Sequence, residues 1–218
     1  MYRTVLFDLD GTLTDPGLGI TNSVMYALNK FNIKVEDRTL LYKFIGPPLK
    51  ESYKKYYHLS DEEITCAVTY YREYFSEKGI YENELYDGIA EVLKQIKDSG
   101  RKVILATSKP EEFAVEILRY FHIDQYFDFV AAATMDGTRN SKADVIAYAL
   151  ESCKITDLQS TVMIGDREYD IHGAKECGLD SIGVLYGYGS REELQSAGAT
   201  YVVESVGEIP AIINRDIS

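Results

Sequence analysis

From Gly88 onward, short apolar segments rich in β-branched residues alternate with segments whose apolar residues recur at helical spacing. The predicted strands are 102–107, 127–132, 161–164, 181–184 and 201–203. The predicted helices that flank them are 89–99, 111–121, 141–153, 170–177 and 191–197. Strands that alternate with helices of about 10–15 residues indicate βαβ units and a parallel sheet. With a further buried strand at 4–7, the pattern predicts an α/β fold with a Rossmann-like parallel-sheet core.

The segment between the first strand and Gly88 has a different pattern. Its first apolar residues recur on one face of a helix, at Ile20, Val24, Leu28 and Phe31. After a break at 46–48, residues 49–57 and 60–78 again have helical spacing, and Ser60 to Glu63 has the sequence of a capping box. No strand-like alternation occurs here. We therefore predict a core domain of residues 1–15 and 84–218 and an inserted all-helical domain of residues 16–83.

The composition argues against several classes of protein. A formal net charge of −12 is the opposite of what a nucleic-acid surface needs. No apolar run approaches the roughly 20 residues of a membrane span. The three cysteines (Cys66, Cys153 and Cys177) are widely separated and form no CxxC pair, which favours thiols in a reducing compartment. We expect a cytoplasmic protein that binds neither a nucleic-acid polymer nor a membrane.

Polar side chains follow several of the predicted strands. They are Asp8 and Asp10 after the first strand, Thr107, Ser108 and Lys109 after the second, and Asp166 and Asp170 after 161–164, with Lys142 opening the preceding helix. In a parallel sheet these groups converge on the edge where ligands bind. Several carboxylates at one edge repel one another unless a cation lies between them, and hard oxygen ligands suit Mg²⁺. The sequence therefore predicts a magnesium site that binds and orients a phosphoryl group.

Asp8 and Asp10 are separated by one residue, so on an extended segment their side chains point the same way. One carboxylate can attack phosphorus, while the other protonates the leaving oxygen and later deprotonates water. Gly11 lets the chain turn after them. Each motif alone is weak, because aspartate is common in turns and threonine often caps helices. Their combined order along the chain favours phosphoryl transfer.

These residues resemble the haloacid dehalogenase superfamily of phosphatases. The first motif of that superfamily is present in full at residues 8–13, as Asp-Leu-Asp-Gly-Thr-Leu. Thr107 matches the second motif, Lys142 the third, and residues 165–170 the fourth. The resemblance covers nearly the whole chain and implies a HAD-like core.

The resemblance implies a role for each matched residue. Asp8 would form an aspartyl-phosphate, and Asp10 would act as general acid and then as general base. Thr107, its neighbour Ser108 and Lys142 would hold the phosphoryl oxygens. The implied Mg²⁺ site consists of Asp8, the backbone carbonyl of Asp10, Asp166 and, in a supporting position, Asp170.

The helical insert resembles the small C1-type cap of this superfamily, whose loops carry substrate specificity. Gly46 and Pro47, in the segment Gly-Pro-Pro-Leu, are expected to reach the substrate. This loop, together with residues 136–138 and the Tyr-Gly-Tyr-Gly-Ser segment at 186–190, resembles the phosphoglycolate phosphatase, pyrophosphatase and 5′-nucleotidase subgroup.

The expected substrate is a small phosphorylated metabolite, of the phosphoglycolate or nucleoside 5′-monophosphate class. A pyrophosphatase, a β-phosphoglucomutase-like phosphotransferase and a non-catalytic binding protein on the same scaffold are the alternatives. Either a monomer or a dimer agrees with the sequence.

Overall fold

The computed structural model describes residues 1–215. Its strands are β1 (Thr4–Phe7), β2 (Thr14–Asp15), β3 (Glu84–Leu85), β4 (Lys102–Pro110), β5 (Phe129–Ala133), β6 (Thr161–Gly165), β7 (Asp180–Val184) and β8 (Tyr201–Val203). Its α-helices are α1 (Gly17–Asn29), α2 (Leu49–Tyr57), α3 (Asp61–Tyr74), α4 (Ile89–Asp98), α5 (Glu111–Tyr120), α6 (Lys142–Ser152), α7 (Glu168–Glu176), α8 (Arg191–Ala197) and α9 (Ile209–Ile213).

Six strands form one parallel sheet in the order β5-β4-β1-β6-β7-β8, which confirms the predicted fold class. The strand β1 lies in its interior, where Phe7 is in register with Leu105 of β4 and with Ile164 of β6. All four residues of β1 are buried. A parallel sheet with helices on both faces buries both sides of its strands, so an unbroken apolar run is the expected sequence of such a strand.

The helices α6 and α7 pack against this sheet. From the strands, Leu6, Ile104 and Met163 contribute to an apolar cluster that also includes Val145 and Ile146 of α6. These five residues are fully buried or nearly so. Their packing fixes the position of α6 relative to the carboxyl ends of β1, β4 and β6.

The chain divides into two compact units. The core unit consists of Met1–Thr14 and the chain from Leu85 onward, and the inserted unit consists of Asp15–Glu84. Each boundary lies one residue from the predicted one. Between residues 16 and 83, every regular element of the inserted unit is helical.

Within the inserted unit, α1 packs against α3. The predicted apolar face of α1 is buried at Ile20, Val24 and Leu28. At the start of α3, the predicted capping box forms: the Glu63 N–H donates to Ser60 Oγ, and the Ser60 N–H donates to the Glu63 carboxylate.

Several elements differ from the sequence prediction. The predicted helix 60–78 changes at Phe75 into a π-helix, Phe75–Gly79. The π-helix lies close to α1 at this point, and a Cβ on Gly19 would lie 1.9 Å from the Gly79 carbonyl oxygen. Glycine at position 19 therefore permits the close contact. A 3₁₀ helix (Arg38–Phe44) and the short α9 were not predicted. They are too short to give a clear helical period.

The strand β4 is longer than predicted, since it continues past Thr107 to Pro110. Beyond an irregularity in register, Pro110 pairs with Ala133 of β5. A proline is tolerated at such a bulge, although in a sequence it reads as the end of a strand. Because of this extension, Ser108 and Lys109 also belong to β4, near its carboxyl end.

None of the helices in the described range is both long and apolar enough to cross a membrane. The cytoplasmic location and the oligomeric state stay predictions.

The side chain of Asp128 ties α4 to the sheet. It accepts a hydrogen bond from the Val103 backbone N–H at 2.9 Å and pairs with the Lys97 ammonium. Burial alone would raise the pKa of Asp128, but these two partners outweigh it and hold the pKa below its usual range. The ionic part of this contact therefore stabilises the fold only while the carboxylate is charged.

We expect Asp128→Asn to lower the free energy of unfolding by about 1 kcal/mol at pH 7, because the variant loses a charge-assisted hydrogen bond. The folded-state pKa is depressed, so the ionic contribution is present above the unfolded pKa of about 3.9 and is lost as pH falls through the folded pKa. Urea unfolding of both proteins at several pH values from 7 downward measures the gap, which should close in acid.

Asp98→Asn is the matched control, because Asp98 pairs with Lys94 in solvent, where both side chains are more than half exposed. Its effect should stay within about 0.5 kcal/mol. A gap between wild type and Asp128→Asn that persisted unchanged in acid would contradict the assignment.

Candidate active site

Strand register brings three carboxylates together at the carboxyl edge of the sheet. Phe7 and Ile164 are partners in β1 and β6, so Asp8 and Asp166 leave the sheet close together. The Asp8 N–H donates to the Ile164 carbonyl at 2.9 Å, which continues the β1–β6 pairing by one residue. Asp170 lies in the first turn of α7. Carboxylate oxygens of Asp8, Asp166 and Asp170 lie within 4.8 Å of one another, and all three residues are buried.

The turn after Asp8 is closed by backbone hydrogen bonds. The Leu9 carbonyl accepts from the N–H groups of Thr12, Leu13 and Thr14, at 3.2, 2.8 and 3.1 Å. Gly11 has a φ of +82°, and a Cβ there would lie 2.2 Å from a carboxylate oxygen of Asp166. Glycine is therefore required at position 11, because the turn needs a positive φ and because the Asp166 carboxylate lies where a Cβ would be.

Two further glycines let the carboxylates fit. A Cβ on Gly165 would lie 2.1 Å from Asp170 Cγ, and one on Gly187 would lie 2.5 Å from Asp166 Cβ. The next residue of that loop, Tyr188, donates its N–H to Asp166 Oδ2 at 2.8 Å. The loop thus holds Asp166 in place. From the sequence, residues 186–190 supported only the subgroup resemblance, because a backbone N–H donor leaves no side-chain pattern.

Lys142 lies at the start of α6, after the N-cap residue Ser141. Its buried ammonium is 2.7 Å from Asp8 Oδ1, 2.7 Å from Asp170 Oδ1 and 3.1 Å from the Ala106 carbonyl oxygen. The ammonium thus forms ion pairs with both carboxylates and donates a hydrogen bond to the Ala106 carbonyl. Burial opposes the charge, but the carboxylates of Asp170 and Asp8 outweigh it and raise the pKa of Lys142 above its usual value.

The cluster holds three carboxylates and the single ammonium of Lys142, so one lysine cannot balance the negative charge. Burial, followed by the charges of Asp170 and Asp8, raises the pKa of Asp166 well above its ordinary value. Burial and the charge of Asp8 also raise the pKa of Asp170, although Lys142 opposes this. Within the described chain, Asp166 Oδ1 is buried without a hydrogen-bond partner. A divalent cation with hard oxygen ligands fits this set, since it would take up that oxygen and offset the repulsion.

The side chain of Asp10 lies outside this three-carboxylate cluster. Its Oδ2 is 2.5 Å from the ammonium of Lys109. Lys109 as a whole residue is buried, with 8% of its surface exposed. Burial raises the pKa of Asp10, while the charge of Lys109 opposes the shift. Lys109 was predicted only to follow the strand, with no role, because its contact with Asp10 depends on the unpredicted extension of β4.

Thr107 is buried on β4, next to the half-buried Ser108. The Lys109 N–H donates to Thr107 Oγ1 at 3.2 Å. The hydroxyl keeps its own proton for another acceptor. The structure therefore places Thr107 and Ser108 at the carboxyl end of β4, while their predicted contact with phosphate stays a prediction.

Gly46 and Pro47 lie in the inserted unit, between the 3₁₀ helix and α2. Both are half-buried, and Gly46 has a φ of +101°, a conformation that favours glycine. The predicted contact of this loop with substrate also stays a prediction.

A carboxylate held by a buried lysine, beside further carboxylates at the edge of a Rossmann-like sheet, is the kind of site that suits phosphoryl transfer. The sequence model of the family described as haloacid dehalogenase-like hydrolase matches residues 5–184. The chain therefore belongs to the haloacid dehalogenase-like hydrolase family.

Three curated relatives resemble most of the chain. A 5′-nucleotidase of Pseudomonas aeruginosa is 40% identical over 212 residues, which are 97% of this chain and 96% of the relative. The tyrosine-protein kinase PtkA of Mycobacterium tuberculosis is 39% identical over 203 residues, 93% of this chain and 69% of the kinase. The pyrophosphatase PpaX of Bacillus mycoides is 29% identical over 98% of this chain and 97% of the relative.

A solved structure agrees with these relatives. The crystal structure of a predicted phosphatase from Clostridium acetobutylicum has a TM-score of 0.95 and 52% identity, and the match covers 98% of each chain. The family and these homologues confirm the resemblance inferred from the motifs. The protein is an enzyme of the phosphatase branch of this family, a hydrolase of phosphoric monoesters.

The close contact at Gly165 gives a structural test of the carboxylate cluster. We expect Gly165→Ala to lower the free energy of unfolding by about 1–3 kcal/mol, because the added methyl group overlaps the buried Asp170 side chain. Thermal unfolding measures the loss.

Gly207→Ala is the matched control, since its Cβ would meet nothing within 4 Å and its φ is not positive. It should leave the melting temperature nearly unchanged. Equal effects of the two substitutions would contradict the packing at Asp170.

Proposed function

We propose that this enzyme hydrolyses a small phosphorylated metabolite through an aspartyl-phosphate on Asp8, in a reaction that depends on Mg²⁺. One observation carries the proposal. The Asp8 carboxylate is buried at the sheet edge, 2.7 Å from the Lys142 ammonium and beside Asp166 and Asp170. Phosphoryl transfer needs mainly positioning and charge neutralisation, and this cluster supplies both.

In the first step, an oxygen of Asp8 bonds to phosphorus while the bond from phosphorus to the ester oxygen breaks. The electron pair of that bond stays on the ester oxygen, which receives a proton from Asp10. In the second step, water attacks phosphorus, its proton goes to Asp10, and the bond between phosphorus and Asp8 breaks. Inorganic phosphate leaves, and both aspartates return to their starting states.

Asp8, Asp166 and the supporting Asp170, with the backbone carbonyl of Asp10, would hold the Mg²⁺. When bound, the cation supplies charge neutralisation for the phosphoryl oxygens. Lys142 would align Asp8 for attack, since its ammonium is anchored by contacts with both Asp8 and Asp170. Thr107 and Ser108 would donate hydrogen bonds to the phosphoryl group from the end of β4.

Within the proposed substrate class, the identity to the 5′-nucleotidase of P. aeruginosa favours nucleoside 5′-monophosphates over phosphoglycolate. The likeness to PpaX supports pyrophosphate as the alternative substrate. The substrate test therefore compares all three compounds.

We expect the purified protein with Mg²⁺ to release inorganic phosphate from p-nitrophenyl phosphate and from at least one nucleoside 5′-monophosphate. A panel with phosphoglycolate and pyrophosphate, read by a colorimetric phosphate assay, ranks the substrates. Asp8→Asn should lower kcat/KM by about 10⁴-fold or more, because it removes the nucleophile. Wild-type release no greater than that of Asp8→Asn would refute the proposal.

The carboxylate cluster predicts a separate result for metal binding. Mg²⁺ at about 100 times its Kd should stabilise the wild type by about 2.7 kcal/mol, seen as a rise in melting temperature. Asp166→Asn should lose this response, yet without metal it should melt no lower than the wild type. The reason is that burial and the neighbouring carboxylates already disfavour a charge at position 166.

Asp98→Asn, which removes an exposed carboxylate, serves as the control and should keep the full response to Mg²⁺. An undiminished response in Asp166→Asn would remove this residue from the proposed metal site.

The likeness to PtkA supports a second candidate, transfer of a phosphoryl group from ATP to tyrosine. The same Asp8 intermediate would then be attacked by a tyrosine hydroxyl in place of water, with its proton going to Asp10. Radiolabelled ATP distinguishes the two functions. A hydroxylamine-stable label on tyrosine favours the kinase, whereas free phosphate with at most a hydroxylamine-labile label favours hydrolysis.

A further inference from the structure

The ion pair between Lys109 and Asp10 is a second buried charge pair of the core unit. The Nζ–Oδ2 distance is 2.5 Å, and the two side chains are 6% and 13% exposed. A buried ammonium is costly unless it is paired and hydrogen-bonded. Lys109 reaches this position because β4 continues to Pro110 beyond the irregularity that follows Thr107.

Lys142 cannot replace Lys109 in this contact. Its ammonium is already held by ion pairs with Asp8 and Asp170 and by its hydrogen bond to the Ala106 carbonyl. Lys109 is thus the lysine that the structure pairs with Asp10.

The two oxygens of Asp10 differ in their surroundings. Oδ2 accepts from Lys109, whereas Oδ1 is buried and has no hydrogen-bond partner among residues 1–215. The terminal torsion of an aspartate is broad and roughly two-fold, so without a fixed partner the two oxygens exchange places. A fixed ammonium at one oxygen removes that exchange.

We propose that Lys109 is a positioning residue for Asp10, which occupies Oδ2 and leaves Oδ1 as the oxygen that carries the transferable proton. The inference rests on the proposed function, in which Asp10 is the general acid. When the phosphorus–ester bond breaks, the proton on Oδ1 moves to the departing oxygen, and the resulting Asp10 carboxylate is held by Lys109. In the second step, Oδ1 takes the proton of the attacking water.

General acid catalysis matters most when the leaving oxygen is a strong base. An alkyl phosphate releases an alkoxide unless it is protonated, whereas p-nitrophenyl phosphate releases a stable phenolate. A residue that positions the acid should therefore affect the alkyl ester far more than the nitrophenyl ester. A residue that binds the phosphoryl group, which both esters share, should affect the two equally.

The experiment measures kcat/KM of Lys109→Met for p-nitrophenyl phosphate, phenyl phosphate and an alkyl phosphate, with saturating Mg²⁺. We expect a loss of about 10²-fold or more on the alkyl ester, within the range of general acid catalysis, and less than about tenfold on the nitrophenyl ester. Lys109→Arg keeps the charge and should recover at least about a tenth of the wild-type value on the alkyl ester. Lys94→Met, which removes an exposed lysine, is the charge-matched control.

The rise in melting temperature with Mg²⁺ and beryllium fluoride checks that the Asp8 cluster is intact, since this ligand pair has no leaving group. It should be the same in Lys109→Met and wild type. If Lys109→Met does not fold, Lys109→Gln is measured instead and must give the same pattern.

Equal losses on all three esters, or no loss on any, would overturn the inference and leave the proposed function in place. Failure of both neutral variants to fold would identify Lys109 as a fold element and would also overturn it. If the wild type released no phosphate in the presence of Mg²⁺, both the proposed function and the inference would be refuted.

Discussion

The ammonium of Lys142 connects more of the molecule than any other side chain of the site. From the start of α6 it contacts Asp8 after β1, Asp170 in α7 and the Ala106 carbonyl of β4. Removing one partner of such a buried pair costs about 3–5 kcal/mol, because it leaves an uncompensated charge. The same contact therefore holds the helix against the sheet and aligns the proposed nucleophile. Fold stability and the proposed catalysis would both depend here on one residue.

Close packing supplies the rest of the alignment. Gly11, Gly165 and Gly187 each leave a space that a methyl group would fill, and in each case the atom in that space belongs to Asp166 or Asp170 or to the turn beside them. Carboxylates packed this closely cannot move apart to relieve their repulsion. Burial, together with this repulsion, raises the pKa of Asp166, and a bound cation would offset the repulsion.

Local signals were sufficient to predict most of the site. Asp8 and Asp166 each follow a strand and Lys142 opens a helix, so their convergence required only that the sheet be parallel. Two features could not be predicted in this way. The contact of Lys109 depends on the pairing of Pro110 with Ala133, which no local pattern encodes.

The second feature is the hydrogen bond from the Tyr188 backbone N–H to Asp166, which joins two residues 22 positions apart in sequence. Pairings between distant segments are set by the packed sheet, so they become visible only with the fold. The same limit applies to the inserted unit: its helical periodicity predicted the capping box at Ser60 correctly, but not the π-helix at Phe75–Gly79.

The distribution of charge at the site bears on how a substrate can bind. Both buried lysines are paired with carboxylates of the chain itself, Lys142 with Asp8 and Asp170 and Lys109 with Asp10. The protein as a whole carries a net charge of −12, which repels anions at long range. A phosphoryl group that enters this edge of the sheet adds further negative charge next to Asp8. The cation proposed at Asp8 and Asp166 would therefore govern substrate binding as well as the chemical step. In the described part of the core unit, no unpaired lysine is left at the cluster to replace it.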